Sequence, residues 1–149
     1  TIRHIGKGAF SELWALKEIN IPEGVEEIDE YAFFACSFLK DITIPGTVKR
    51  IGKHAFARCD TLQKVQICEG VVEIGERAFL NCGSLKEVYV PGSVRELTSA
   101  TALYGSAGYE VFSGCPELTV YCPAGSRAEA YCREKGILLK QTIISGGRK

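Results

Sequence analysis

Apolar and polar positions along the chain repeat every 23 residues. A phenylalanine, usually preceded by alanine, is followed three positions later by cysteine or leucine and six positions later by leucine. Repetition at a fixed period of this length is typical of proteins whose units stack and share one core. The phenylalanine column holds Phe10, Phe33, Phe56, Phe79 and Phe112, of which the last arrives ten residues late. The next two columns hold Leu13, Cys36, Cys59, Cys82 and Cys115, and then Leu16, Leu39, Leu62, Leu85 and Leu118.

Each unit predicts the same short elements. Alternating apolar and polar residues in the stretches LKEINI, LKDITI, LQKVQI and LKEVYV predict a strand with one buried face in each unit. A corner with proline and glycine follows, and then a V-x-x-I segment that favours a second short strand. The A-F-x-x-C segment has the spacing of one helical turn with both side chains facing inward. Because so small a unit cannot close a core by itself, the sequence predicts a solenoid of stacked units.

Two stretches depart from the repeat. Ten extra residues lie near 98–110, and they predict either a binding loop on one face or a tolerated surface loop. Near 126–135, Ser126 and Glu129 have the spacing of a capping box, and Gly136 follows as a stop signal. We therefore expect a capping helix there.

The boundaries of the predicted solenoid follow from these departures. The solenoid of about five 23-residue repeats covers 1–137, and 138–149 form a C-terminal extension with a flexible tail. At the other end, Ile2–Ile5 begin in the middle of a unit. An uncapped end exposes apolar columns and strand edges, so we expect either further repeats upstream or self-association through this N-terminal edge.

The most regular unit, IPGTVKRIGKHAFARCDTLQKV (Ile44–Val65), resembles the BspA-like, or Treponema-type, leucine-rich repeats. The resemblance runs from about Ile2 to Gly136. It implies an α/β repeat fold, namely a right-handed leucine-rich-repeat solenoid. A parallel sheet of short strands lies on one side, short helical turns lie on the other, and a capping helix closes the C-terminal end.

The same resemblance implies a function. Related proteins are bacterial cell-surface or secreted proteins, some of which bind host extracellular matrix proteins such as fibronectin and fibrinogen. The expectation is therefore a non-enzymatic, adhesin-like protein-binding module whose partner is a protein. A structural spacer or intracellular scaffold is the alternative, since a fold alone does not determine function.

Composition narrows the range of partners. Eighteen basic residues balance eighteen acidic ones, so the net charge gives no sign of binding to nucleic acid or to an anionic membrane. No apolar run approaches 18 residues, so we expect no membrane insertion by this segment. The chain lacks an initiating methionine, and the missing targeting signal therefore says nothing about its compartment.

Seven cysteines require a test for chemistry. No C-x-x-C pair occurs and only two histidines are present, so we expect no metal and no cofactor. The repeated cysteines would stack at the strand spacing, which is too wide for a relaxed disulfide, and we interpret them as reduced packing residues. Cys68 is the expected exposed thiol, and a bridge between Cys122 and Cys132 is an alternative.

Cys59 and His54 could be interpreted as a nucleophile and its base. Their spacing of five does not place both on one face of a helical turn, and Cys59 belongs to the packing column. His54 aligns with Gly8, Tyr31 and Arg77, which predicts an exposed and variable position. We therefore expect no catalytic residue.

The outward side chains of the predicted strands form the candidate protein-binding surface. Repeat proteins use extended sheet surfaces to hold partners, although such polar positions can also serve only solubility. Tyr89 and Tyr121 are the strongest candidates, because aromatic anchors dominate protein interfaces. The full set is Glu18, Asn20, Asp41, Thr43, Lys64, Gln66, Glu87, Tyr89 and Tyr121.

Overall fold

A computed structural model describes residues 1–97 and 110–143. Over these ranges the chain winds as a solenoid of parallel strands, as predicted. The strands form two sheets, where the resemblance implied one. The predicted insertion and the end of the tail lie largely outside the described residues. The strands are β1 (His4–Ile5), β2 (Glu27–Ile28), β3 (Asp41–Ile44), β4 (Arg50–Ile51), β5 (Lys64–Ile67), β6 (Glu73–Ile74), β7 (Glu87–Tyr89), β8 (Glu96–Leu97), β9 (Thr119–Pro123) and β10 (Leu138–Thr142). The helix of the described part is α1 (Arg127–Lys135).

Each strand pairs in parallel with the equivalent strand of the next unit. The short-strand sheet has the order β1-β2-β4-β6-β8, with Ile5 opposite Ile28. The long-strand sheet has the order β3-β5-β7-β9-β10. The extra residues before β9 do not shift its register, because Glu87 lies opposite Thr119. Equivalent columns of the sequence therefore lie one above another.

The phenylalanine column forms the centre of the core. Phe33, Phe56 and Phe79 are fully buried, and neighbouring rings stack nearly parallel. The distances between successive ring centroids are 5.2 Å for Phe10 and Phe33, 5.0 Å for Phe33 and Phe56, 5.4 Å for Phe56 and Phe79, and 5.6 Å for Phe79 and Phe112. Offset stacking adds to the free energy gained by removing these rings from water.

The first unit departs from the prediction. LKEINI, residues 16–21, was expected to form a strand, yet the structure has none there. Ile21 is buried, whereas Leu16 and Ile19 are only partly buried. Less apolar surface is therefore removed from water in this segment than in the inner units, so burial stabilises a strand there less.

The A-F-x-x-C segments are also not helical turns, which corrects the prediction. They are consecutive tight turns in which two residues per unit take left-handed backbone angles, such as His54 (φ 58°) and Arg58 (φ 60°). Their N–H groups reach the next unit, since His54 N donates to Glu76 O at 3.1 Å and Phe56 N donates to Ala78 O at 2.8 Å. Hydrogen bonds therefore join the units on this side as well.

The corners after the long strands alternate between two types. Gly24 and Gly70 have φ of 105° and 122°, a conformation that favours glycine. Thr47 Oγ1 accepts a hydrogen bond from Gly24 N at 3.1 Å, and Ser93 Oγ accepts one from Gly70 N at 2.9 Å. A glycine corner and a hydroxyl corner therefore pair, so two successive units form the structural repeat at this edge.

The helix α1 covers the C-terminal end of the core. Its N-cap Ser126 accepts a hydrogen bond from Glu129 N at 3.2 Å, and Gly136 ends it with φ 73°. Glu129 Oε1 accepts a hydrogen bond from Gly125 N at 2.9 Å, which holds the preceding turn. The chain then adds β10 to the long-strand sheet. The buried residues of the helix are Ala128, Tyr131 and Cys132.

Candidate protein-binding surface

Tyr89 and Tyr121 stand side by side on the outer face of the long-strand sheet. They are opposite one another in the register of β7 and β9, and their rings stack with centroids 4.6 Å apart and planes 16° from parallel. Tyr89 Oη donates a hydrogen bond to Glu87 Oε1 at 3.0 Å. This bond raises the pKa of Tyr89 above its ordinary value, because ionisation would place a second anion beside the carboxylate.

Two ammonium groups flank this tyrosine pair. Lys64 Nζ lies 5.6 Å from the Tyr89 ring centroid, and Lys140 Nζ lies 5.9 Å from the Tyr121 ring centroid. Both distances fall within the range of cation–π attraction. The sequence identified both tyrosines, but it gave no sign that the rings stack or that Lys140 joins them. The contact with Lys140 becomes apparent only from the strand register, in which Lys140 of β10 lies opposite Tyr121 of β9.

Most of the other predicted site residues lie in two rows on this face. Asp41, Lys64 and Glu87 lie opposite one another, so the charges alternate from strand to strand. Glu18 and Asn20 are exposed, but they belong to residues 16–21, which form no strand, and are not brought into the sheet. The second row holds Thr43, Gln66, Tyr89 and Tyr121.

A groove that sequence reasoning missed lies beside the tyrosine pair. It has a volume of about 880 Å³ and runs past the ends of β5, β7 and β9 to β10. Its lining is mainly apolar and includes Tyr89, Tyr121, Pro91, Pro123 and Ile143. Ile143 is 84% exposed, so an apolar partner group placed there would remove that surface from water.

The outer face of the short-strand sheet has a different character. Over the first units its charged residues alternate in sign and pair with one another, whereas Glu73 and Glu96 carry like charges opposite one another on β6 and β8. The ridge is a solvated face. Exposed pairs of this kind contribute little to stability. The pairs are Arg3 with Glu26 at 3.8 Å, His4 with Glu27 at 3.7 Å, Lys7 with Glu30 at 3.6 Å, Lys53 with Glu76 at 3.8 Å, and Arg50 with Glu27.

The repeated cysteines are packed thiols that also donate hydrogen bonds. All seven cysteines of the chain are free, so the alternative bridge between Cys122 and Cys132 is not formed. Burial raises the pKa of Cys59 to about 12, which keeps it protonated and unreactive at neutral pH. The thiol-to-carbonyl bonds are Cys36 Sγ to Phe10 O at 3.1 Å, Cys59 Sγ to Phe33 O at 3.2 Å, Cys82 Sγ to Phe56 O at 3.1 Å and Cys115 Sγ to Phe79 O at 3.2 Å.

The expectation that His54 is exposed was wrong. Its side chain is buried, and its ring stacks on Tyr31 of the preceding unit with centroids 4.6 Å apart. Burial lowers the pKa of His54, and the positive charges of Arg77 and Lys53 lower it further. The residues at this position differ from unit to unit, which is typical of an exposed position. Aromatic and guanidinium groups can nevertheless stack on one another. Cys68, predicted as the exposed thiol, is half-buried in the groove.

The sequence profile of the BspA type Leucine rich repeat region matches six copies within residues 1–119. The chain belongs to the BspA-type leucine-rich repeat family. The count of six exceeds the five or so regular units that the columns suggested. Members are built from stacked repeats, and this chain is accordingly a repeat module of the class that offers an extended surface for protein interaction. Among curated protein sequences, no match to the chain was found.

Three solved structures resemble this BspA-type chain. The leucine-rich repeat protein of Treponema pallidum is 29% identical with a TM-score of 0.68, covering 79% of this chain and 51% of its own. The pneumococcal vaccine antigen PcpA is 26% identical with a TM-score of 0.68, covering 83% and 29%. A leucine-rich cell surface protein of Faecalibacterium prausnitzii is 26% identical with a TM-score of 0.50, covering 76% and 33%. This chain therefore spans about half or less of each of these proteins.

A membrane-spanning helix and a metal-binding cluster are two other features that could indicate function. Within residues 1–97 and 110–143, we find no helix with the length and apolar character that a bilayer crossing requires. Over the same ranges, no group of three or more His, Cys, Asp or Glu side chains is arranged to hold a metal ion. The long-strand sheet and its groove, by contrast, carry aromatic and apolar side chains that are available to bind a protein.

Proposed function

We propose that this chain is a non-enzymatic protein-binding module of a bacterial cell-surface or secreted protein, and that its partner is a host extracellular matrix protein. The binding surface is the outer face of the long-strand sheet, centred on Tyr89 and Tyr121. The stacked and half-exposed tyrosine pair is the observation that carries the proposal. Two rigid aromatic rings give a large contact area at a small cost in conformational entropy.

The charge pattern of the two sheets supports the choice of face. On the short-strand sheet the ionic groups pair with each other, whereas the long-strand sheet combines polar side chains with aromatic ones. Interfaces are enriched in tyrosine and depleted of charged residues at their core. Neighbouring strands fix the positions of these side chains, so the surface is preorganised.

The solved relatives support the proposed location by analogy. The protein of Faecalibacterium prausnitzii is described as a cell surface protein, and PcpA is described as a vaccine antigen. A module on a bacterial surface would meet host matrix proteins directly. The remaining proposed surface residues of the sheet are Asp41, Thr43, Lys64, Gln66 and Glu87, which would contribute polar contacts beside the tyrosines. Glu18 and Asn20 lie outside the sheet and would extend the surface beyond β3.

Biolayer interferometry on immobilised fibronectin and fibrinogen tests the proposal. We expect the chain to bind at least one of them, and Tyr89→Ala with Tyr121→Ala to weaken binding at least tenfold. Phe38→Ala is the matched control, because Phe38 is an aromatic residue that is 53% exposed away from this face. If the chain binds neither protein, a structural spacer or intracellular scaffold becomes the better account.

A further inference from the structure

We propose that the groove beside the tyrosine pair holds an extended segment of the partner protein in which an apolar residue lies between a basic and an acidic one. This inference rests on the proposed protein-binding function and specifies what the surface recognises. It follows from the apolar lining of the groove, from the acidic side chain within it and from the basic side chain beside it.

The middle of the groove is an apolar seat. Tyr89 and Tyr121 form one wall, and Pro91 and Pro123 follow them at the ends of their strands. The ring faces are occupied by each other and by lysine ammonium groups, so the ring edges and the prolines remain for contact. An aliphatic or aromatic side chain of the partner fits this seat and would be removed from water there.

Main-chain hydrogen bonds are limited at this position. β7 and β9 already pair with a strand on each side, so a partner segment adds no strand to the sheet here. Pro91 and Pro123 also have no N–H group to donate. We therefore assign the specificity of the groove to the side chains of the partner.

A negative charge lies in the groove and a positive charge lies beside it. Glu69, which follows β5, is the sole charged side chain among the described residues that line the groove. Lys140 does not line the groove, but it lies on the neighbouring β10 and places its ammonium group over Tyr121, which does. A partner with a basic residue near Glu69 and an acidic residue near Lys140 would match both charges, and such matching fixes orientation and register.

The spacing sets the pattern of the segment. Three strand spacings of about 4.8 Å in the order β5-β7-β9-β10 separate the two charges across the sheet, or roughly 14 Å. Glu69 lies in the corner beyond β5, whereas Lys140 shares the row of Tyr89 and Tyr121, so the charges are also displaced along the strands. An extended chain advances about 3.3 to 3.6 Å per residue, so the two charged residues of the partner would lie more than about four positions apart. The expected pattern is a basic and an acidic residue on either side of an apolar one, in one of the two chain directions.

A random ten-residue peptide display library panned on the full chain tests this inference. We expect a consensus in which a large apolar residue lies between Lys or Arg on one side and Asp or Glu on the other. Glu69→Lys should replace the basic preference with an acidic one, and Lys140→Glu should replace the acidic preference with a basic one. Tyr121→Ala should weaken binding of the synthesised consensus peptide at least tenfold. Glu96→Lys, on the exposed short-strand sheet, is the matched charge control and should leave the consensus unchanged.

Several outcomes would overturn the inference. They are a library that yields no binders, a consensus that neither charge reversal alters, and a sedimentation experiment in which Tyr121→Ala abolishes only self-association. Thermal unfolding of each variant checks that the fold is kept. Retention of fibronectin or fibrinogen with an unresponsive consensus would remove this inference and leave the proposed function. A charge-responsive consensus without retention of either protein would leave this inference and remove the matrix protein as the proposed partner.

Discussion

The thiol of Cys59 donates a hydrogen bond to the carbonyl oxygen of Phe33 in the preceding unit, with Sγ 3.2 Å from O. The same bond joins every pair of units in this column, so the recurrence of cysteine has a polar reason as well as a steric one. A buried thiol is a small apolar group with a weak donor, and this position uses both properties.

Cys59→Val should lower the free energy of unfolding by about 1 kcal/mol, because valine fills the volume but cannot donate to Phe33 O. Urea denaturation of the two proteins measures the difference. An unchanged midpoint and slope would show that the column serves packing alone.

Alkylation by iodoacetamide at pH 8, followed by mass spectrometry, should label Cys68 before Cys59. Cys68 is half-buried, whereas Cys59 is fully buried and burial raises its pKa to about 12. The thiolate is the reactive form, so Cys59 should react only after unfolding. Equal labelling rates for the two residues in the folded chain would contradict this order.

Phe56→Ala should cost about 3 to 5 kcal/mol, because the ring is fully buried between Phe33 and Phe79. Phe10→Ala is the matched control and should cost less, since Phe10 is only partly buried at the end of the stack. Urea denaturation measures both. Similar losses would mean that the stack does not form the centre of the core.

Gly70→Ala should destabilise the chain by more than about 1 kcal/mol. A methyl group there would collide with the carbonyl oxygen of Gly46, and φ of 122° disfavours any side chain. Gly83→Ala should be nearly neutral, because an added methyl meets no atom within 4 Å. Thermal unfolding midpoints separate the two, and a neutral Gly70→Ala would refute the close approach of these corners.

Acidification should destabilise the fold partly through His54. Burial lowers its pKa in the folded chain, with help from Arg77 and Lys53 and against the opposing charges of Glu76 and Glu30. The unfolded histidine takes up a proton near pH 6.5, so the unfolded state binds more protons in the window below that pH. This contribution to stability is complete above about pH 6.5 and is lost as the pH falls through the window.

His54→Asn tests this dependence, because asparagine tolerates the left-handed backbone and does not titrate. Denaturation at pH 7.5, 6.5 and 5.5 should show a smaller loss of stability for His54→Asn than for the unaltered chain. His4→Asn, at an exposed position, is the matched control. An equal loss in all three proteins would exclude His54 as a source.

The sequence predicted the parts of the fold that depend on repetition. The phenylalanine column, the parallel strands and the packing of Cys59 all follow from the 23-residue period. The prediction of a strand at residues 16–21 was wrong because periodicity does not show that Leu16 and Ile19 are only partly buried in the first unit. The prediction that His54 is exposed was wrong because a column of unlike residues resembles an exposed position even when its members stack.

The candidate site was predicted only in part. Alternation placed Tyr89 and Tyr121 outward, but extra residues separate them and hid their contact. The groove depends on corners and on β10, which joins the sheet after the helix, and no local pattern reports such an arrangement. The alternation of glycine with Thr47 and Ser93 was visible in the sequence and could have been found by aligning two units at a time.

Hydroxyl-radical footprinting of the chain with and without bound fibronectin or fibrinogen tests the central claim most directly. The account predicts that Tyr89 and Tyr121 become protected from oxidation when the matrix protein binds, while Phe38 and Trp14 keep their rates. Phe38 and Trp14 are exposed aromatic side chains elsewhere, so they report on non-specific coverage. Protection of Phe38 or Trp14 without protection of the tyrosine pair would contradict the assignment of the long-strand sheet as the recognition surface.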